Sequence, residues 1–202
     1  MKKKVTIGID IGGTNTEFGI VDKEGNILNA GRIETRNHKN FDAYLNALSE
    51  NLLNIIPEEI EIIGAGVGAP NANYYNGTIE EAPNLEWKGI IPFSDMLKEK
   101  LHIPVVLTND ANAAAIGEML FGGAKAMQNF VVITLGTGVG SGIVVNGELV
   151  YGHTGFAGEI GHSIVIPDGR TCACGRKGCI EAYACASGIK LTAFELLKNS
   201  DI

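Results

Sequence analysis

Several familiar signatures are missing from this 202-residue chain, and each absence removes a class of function. A basic excess is lacking: 16 Lys+Arg stand against 23 Asp+Glu, for a formal charge of −7. A nucleic-acid binder that tracks phosphates needs a cationic face to displace counterions, so nucleic acid is not an expected partner. No apolar run approaches the ~18 residues of a membrane span. The opening Met1-Lys2-Lys3-Lys4 imitates a signal peptide, but the apolar stretch behind it is broken at Asp10. A Gly-Lys-Ser/Thr phosphate loop is absent, as is a Gly-x-Gly-x-x-Gly between a strand and a helix. A P-loop ATPase and a dinucleotide-dependent dehydrogenase are therefore disfavoured. Low charge and abundant β-branched residues argue against disorder. The expectation is a soluble, cytoplasmic protein of one domain or a small pair. What the chain does have is glycine: 27 residues, about 13%, nearly twice the usual ~7%. These glycines are clustered, and the clusters mark the chemistry.

Lys4 to Asp10, Thr16 to Asp22 and Asn26 to Arg36 alternate as strands joined by tight turns. Phe41, Leu45, Leu48, Leu52 and Ile55 fall at helical spacing, closed by Pro57. A strand over Glu61 to Val67, a helix over Pro92 to Leu101, a strand over Val105 to Thr108 and an Ala-rich helix over Ala111 to Gly122 follow. The order βββαβαβα implies a largely parallel central sheet flanked by helices. At Phe130 the pattern restarts: a strand to Leu135, a glycine-rich turn over Gly136 to Gly142, a strand over Ile143 to Val145, then Asn146-Gly147 and a third strand. Gly12 and Gly136, Gly19 and Gly142, and Gly25 and Gly147 lie 124, 123 and 122 positions apart. Single-residue drift is what turn-length changes between two copies produce, so the chain reads as an internal duplication. Residues 1–125 form the first lobe and 126–202 a partial second one, about 50 residues shorter. Two unrelated hairpins with similar turns would leave the same marks.

Asp10-Ile11-Gly12-Gly13-Thr14 follows a strand and turns into the next. Gly12 and Gly13 let backbone N–H groups approach an anion, the Thr14 hydroxyl adds a donor, and Asp10 is placed to hold Mg²⁺ through water. An ordinary Gly-Gly hairpin turn fits the same residues. Leu135-Gly136-Thr137-Gly138-Val139-Gly140-Ser141-Gly142 is the matching turn, with alternate glycines that would weaken a plain strand unless something approaches the backbone closely. Two such turns facing one another would grip a polyphosphate. Asp110, after Asn109 and before the Ala-rich helix, reads either as an N-cap or as a general base at the carboxyl end of a parallel strand. Cys172, Cys174 and Cys179, with His162 ten residues upstream of the first, make a Cys₃His set suited to tetrahedral Zn²⁺, most simply a structural ion. A reducing compartment disfavours disulfides. Cys185 falls outside that spacing and reads as a small buried residue; His38, His102 and His153 carry no pattern. Gly64-Ala65-Gly66-Val67-Gly68 suits close helix packing.

Taken in order, Asp10-Ile11-Gly12-Gly13-Thr14, Ala82-Pro83-Asn84-Leu85-x-Trp87, Asn109-Asp110-Ala111-Asn112-Ala113-Ala114-Ala115, Leu135 to Gly142, Gly158-Glu159-x-Gly161-His162 and Cys172-x-Cys174-Gly175-x-x-Gly178-Cys179-x-Glu181 resemble the ROK family of repressors, open reading frames and sugar kinases. The resemblance implies an actin-like, ribonuclease-H-like pair of lobes with ATP and a hexose, glucose foremost, between them. It implies that Asp110 takes the proton of the sugar 6-hydroxyl, and that Asn84, Asn109, Asp110, Glu159, His162 and Glu181 bind the sugar. Gly12, Gly13, Thr14, Gly136, Thr137 and Gly138 would serve the ATP phosphates, with Asp10 on Mg²⁺. His162 would hold zinc through one ring nitrogen and turn the other toward the sugar. A homodimer or tetramer is implied as well. Two departures stand out: Asn71-Ala72-Asn73-Tyr74-Tyr75 replaces a Gly-containing turn, and family kinases run about half as long again, the remainder carrying the adenosine region and a returning C-terminal helix. A sugar-responsive regulator of the same family would carry a helix-turn-helix before the first strand, where nine residues precede Asp10. A non-catalytic sugar-binding fragment is the third reading.

Overall fold

A computed structural model describes residues 2–198. Three strands open the chain: β1 (Lys3–Ile11), β2 (Asn15–Val21) and β3 (Ile27–Glu34). Their connections are too short for anything but antiparallel neighbours. Helix α1 (Phe41–Asn54), whose first turn is capped by the Asn40 side chain accepting from the Ala43 amide, carries the chain over to β4 (Ile60–Gly68), parallel to β1. After α2 (Phe93–Leu101), strand β8 (Val105–Thr108) adds parallel to β4. The sheet order is β3-β2-β1-β4-β8. It is therefore mixed rather than largely parallel: the tight turns dictate antiparallel pairing for β1 to β3, and only the crossover helices produce parallel pairs. Between β4 and α2 lies a small sheet that the periodicity does not announce, β5 (Ala72–Asn73), β6 (Thr78–Glu80) and β7 (Ile90–Ile91).

The two faces of the main sheet differ. Period-two alternation turns Val5, Ile7, Ile9 and Ile11 toward Tyr44, Leu45, Leu48 and Leu52 of α1 and Phe93 and Leu97 of α2, all buried, forming the main core. The other face carries Gly8, Gly19, Gly64, Gly66 and Gly68, and borders an apolar trough of about 1100 Å³. Helix α3 (Asp110–Leu120) flanks this trough with Ala113, Ile116, Gly117 and Leu120.

A second meander follows: β9 (Phe130–Leu135), β10 (Val139–Val145) and β11 (Glu148–Leu149), in the order β11-β10-β9. Its register repeats the first. Gly8 pairs with Gly19, and Val132, 124 positions beyond Gly8, pairs with Gly142. Gly25 and Gly147 occupy equivalent turns with φ of 85° and 77°, a backbone that glycine adopts without steric cost. The glycine-rich turn is shorter than expected, because Val139 to Gly142 already belong to β10. Close approach explains the alternate glycines there: a methyl group at Gly140 would stand 2.9 Å from Ala111 Cβ, and one at Gly142 2.5 Å from Ala115 Cβ. Helix α3 thus presses its alanines onto β10 while Ala113 meets Gly68 of β4. A 3₁₀ turn (Ile160–His162), α4 (Glu181–Ala184) and α5 (Ala186–Lys198) complete the described chain. Among the described residues no helix is long and apolar enough to cross a membrane.

Candidate functional site

Asp10, at the carboxyl end of β1, points to the trough side of the sheet, since alternation places it opposite Ile9 and Ile11. Gly68 ends the neighbouring β4, and a methyl group there would meet the Asp110 Cα at 3.5 Å and Asp10 Oδ1 at 3.9 Å. The two aspartates therefore gather at the carboxyl ends of β1 and β8, the strands that pair in parallel with β4 on its two sides, where ligands collect in open α/β sheets. Burial raises the Asp10 carboxyl above its ordinary range, and repulsion from Asp110 and Glu17 adds to it.

The start of α3 decides between the two readings of Asp110. Asn109, not Asp110, is the cap: its Oδ1 accepts from the Ala111 and Asn112 amides at 2.8 and 3.4 Å. Asp110 is the first helical residue, and its exposed carboxyl accepts from the adjacent Ala111 amide at 2.8 Å. The aspartate is thereby freed from a structural duty, at the helix end that favours negative charge. Asn109 spends its amide oxygen on the cap, which leaves the amide nitrogen as the atom able to meet a hydroxyl.

Glu159 and His162 flank the 3₁₀ turn. Burial raises the Glu159 carboxyl, attraction to His162 opposes the rise, and repulsion from Asp110 and Glu181 adds to it. These four groups thus share one electrostatic neighbourhood, although Asp110 lies far from the others in sequence. The segment is held against β10: the Ser141 hydroxyl donates to the Gly158 carbonyl, and a methyl at Gly158 (φ 95°) would meet the Ser141 carbonyl at 2.5 Å.

The four zinc candidates converge. Ligand atoms of His162, Cys172, Cys174 and Cys179 all lie within 4.8 Å of one another. Tetrahedral Zn²⁺ with Zn–S of about 2.3 Å and Zn–N of about 2.0–2.1 Å separates two sulfurs by about 3.8 Å and a sulfur from a nitrogen by about 3.6 Å. Cys174 Sγ and Cys179 Sγ are 3.8 Å apart, and Cys172 Sγ is 3.6 Å from His162 Nδ1. Burial pushes the Cys172 thiol up to about 12, whereas hydrogen bonds from the Arg176 backbone and side chain draw Cys174 down to about 6. A bound cation is what would keep the buried sulfur ionised. The donor set fits zinc, with Nδ1 as the histidine ligand.

Glu181 joins this centre to the second glycine turn. Its Oε2 accepts from the Val139 amide at 3.0 Å, and a methyl at Gly138 would meet the same oxygen at 2.7 Å. The other carboxylate oxygen lies 3.8 Å from Cys172 Sγ. A methyl at Gly136 would meet nothing within 4 Å, although its amide donates to the Gly138 carbonyl at 3.0 Å and its carbonyl accepts from the Ala186 amide at 2.9 Å, and exposed Thr137 borders a cavity of about 480 Å³ shared with Arg170, Cys172 and Leu191. At the first turn, the Gly12 amide is engaged by the Asn15 carbonyl at 2.9 Å, whereas exposed Thr14 faces outward. Asn84 lies directly against Gly13: a methyl there would stand 2.8 Å from the Asn84 carbonyl oxygen.

Several contributing residues carry no sequence signal. Arg36 Nε donates to the Gly13 carbonyl at 2.7 Å. Arg170 ties the cysteine segment to α5 through the Gly188 carbonyl at 3.0 Å and the Thr192 hydroxyl at 2.9 Å. Tyr74 stacks on Tyr151 at 4.0 Å and 12°, Tyr75 donates to the Gly152 carbonyl at 2.9 Å, and Asn73 donates to the Thr154 carbonyl at 3.2 Å. The loop that departs from the expected Gly-containing turn thus clasps the segment leading to Glu159. Asn71 keeps the left-handed backbone of a glycine there, with φ of 51°. Cys185, outside the metal set, is buried and accepts from the Gly188 amide at 3.4 Å, so its sulfur caps α5.

Residues 6–201 match the ROK family. A glucokinase of Streptomyces coelicolor is 42% identical over 181 residues, covering 89% of this chain and 56% of its own length. The xylose repressor of Bacillus spizizenii is 33% identical over 186 residues, covering 91% of this chain and 48% of the repressor. The crystal structure of a ROK family glucokinase from Streptomyces griseus, in complex with glucose and AMPPNP, superposes with a TM-score of 0.82 at 36% identity, covering 97% of this chain and 62% of that one. The chain thus spans little more than half the length of the glucokinases it matches.

Proposed function

This chain belongs to the ROK family and has its α/β, actin-like ATPase fold, and from that premise we propose that the protein is an ATP-dependent hexose kinase with glucose as its foremost substrate. The observation that carries this reading is that Asn109 caps the helix, so that the exposed Asp110 carboxylate stands at the carboxyl end of β8, within electrostatic reach of Asp10 and Glu159. The glucokinases at about 40% identity support the substrate.

In this reading the Asp110 carboxylate takes the proton of the sugar 6-hydroxyl. The freed oxygen pair attacks the γ-phosphorus, the bond to the β,γ-bridging oxygen breaks, and ADP leaves with that electron pair. Gly12, Gly13 and Thr14 from one side and Gly136, Thr137 and Gly138 from the other position the phosphates, and Asp10 would hold Mg²⁺, which would offset phosphate charge. Asn84, the Asn109 amide nitrogen, Glu159, His162 and Glu181 orient the sugar. His162 Nδ1 and the three cysteines would hold zinc, which would fix the imidazole and leave Nε2 free to meet the sugar. Positioning and one base then supply the rate. Residues 1–125 act as the first lobe and 126–202 as part of the second, in a cytoplasmic homo-oligomer.

The test is a hexose panel assayed for ADP production with the gene's complete product, followed by Asp110→Asn. The variant should keep glucose binding measurable by calorimetry while turnover falls about 10²–10⁴-fold, the usual worth of a general base; near-normal turnover would refute the assignment. The xylose repressors among the relatives supply the second reading, a sugar-responsive regulator. Sequence-specific DNA binding at physiological salt, with no ADP produced from any hexose, would favour it.

A further inference from the structure

Lys88 is an exposed residue outside every motif described above, yet its ammonium is the centre of the loop that presents Asn84. It donates to the carbonyls of Leu85 at 2.7 Å, Ala82 at 3.1 Å and Pro83 at 3.4 Å. An ammonium has three protons, and three acceptors converge on it. The loop is also closed by the Leu85 amide donating to the Ala82 carbonyl at 3.2 Å. Its flanks are anchored: Ala82 and Leu85 are buried, and Trp87 packs on Tyr44 at 4.3 Å and on Phe41 at 5.1 Å. Pro83 and Asn84 are the exposed residues held out between the buried Ala82 and Leu85. Without a cation, carbonyl dipoles turned toward one point repel, and the loop relaxes at its exposed part, at Asn84.

That part rests on the phosphate turn. A methyl at Gly13 would stand 2.8 Å from the Asn84 carbonyl oxygen and 3.2 Å from Asn84 Cβ. On its other side, Gly13 offers its carbonyl to Arg36. The missing side chain of Gly13 is therefore required by the sugar loop as well as by any phosphate. We propose that Lys88 is a positioning residue which, by holding the carbonyls of Ala82, Pro83 and Leu85 on either side of Asn84, presses Asn84 onto Gly13 and makes the sugar loop and the phosphate turn one mechanical unit. The inference rests on the kinase reading for what the two halves bind. Its consequence is coupling: whatever orders Asn84 orders the phosphate turn, and by linkage the reverse holds equally.

The experiment uses the gene's complete product with Lys88→Met, which keeps the stem and removes the donors, and Lys88→Arg, which restores them. Lys88→Met should raise the KM for glucose and the KM for ATP together, each about tenfold, a loss of roughly 1.4 kcal/mol, with kcat changed much less. Lys88→Arg should recover most of both. Gly13→Ala, approaching the same contact from the other side, should raise the glucose KM although Gly13 touches no sugar. Hydrogen exchange reads the mechanical half independently of any activity. In Lys88→Met, amides of residues 12–15 should exchange faster along with those of 82–86. Faster exchange confined to 82–86, or a lowered melting temperature with both KM values unchanged, would overturn the proposal. An unmodified protein that phosphorylates no hexose would instead overturn the kinase reading, and the exchange result would still decide the coupling.

Discussion

Single atoms settle roles at this site. Asn109 and Asp110 are both able to cap a helix, and the choice between them rests on one amide oxygen, which reaches the Ala111 and Asn112 amides from Asn109. Glu181 divides its oxygens between the Val139 amide and the Cys172 sulfur, so one carboxylate links turn and metal centre. Within the Cys₃His set, Cys174 is exposed while Cys172 and Cys179 are buried. Cys174→Ser therefore exchanges a ligand without opening a core cavity, and its effect reports the metal. Purified protein should carry about one zinc per chain by elemental analysis, and the variant should lose it together with the ordered signal of the 158–181 segment. Structural zinc contributes on the order of 10–16 kcal/mol, as much as the ~5–15 kcal/mol net stability of a whole domain, so stoichiometric metal in the variant would contradict the ligand set.

At the scale of elements, α3 is the part on which the site depends. Its alanines are small because it is wedged between two sheets, with Ala113 against Gly68 on one side and Ala111 and Ala115 against Gly140 and Gly142 on the other. Gly142→Ala would place a methyl 2.5 Å from Ala115 Cβ and 2.8 Å from the Ala111 carbonyl oxygen. Neither neighbour is the movable end of a side chain, so the helix must shift. Overpacking of this kind costs about 1–3 kcal/mol. Chemical denaturation should show that loss, and turnover should fall with it because Asp110 rides on the displaced end. An unchanged denaturation midpoint would mean that α3 is not wedged. The sequence contains both halves of this fit, alternate glycines and an Ala-rich helix, but nothing in either segment names the other as its partner. The alternate glycines were legible as a demand for close approach, and the approaching group turned out to be a helix for Gly140 and Gly142, a carboxylate for Gly138, and open space for Gly136.

For the molecule as a whole, the glycine-lined face of the main sheet is the least satisfied surface. A methyl at Gly66 would meet nothing within 4 Å, in a trough of about 1100 Å³. In the 202-residue chain, Gly66→Val should be neutral or stabilising by up to about 1 kcal/mol, because a β-branched residue suits a strand better than glycine. A clear loss of stability in a thermal melt would mean that something occupies the trough. Much of this architecture was determined by sequence alone. The repeated meander, the parallel strands with their crossover helices, the strand-end aspartate and the zinc ligand set depend on alternation, turn backbone and ligand spacing, which are local and act within a few residues. The small sheet was not legible, since strands of two or three residues have no period to detect. Only the tertiary structure decided that Asn84 lies on Gly13, that Glu159 shares its field with Asp110, and that the Tyr74 loop clasps Tyr151. These contacts join residues dozens of positions apart, and their physical cause is the way sheets and helices pack, which no pattern along the chain encodes.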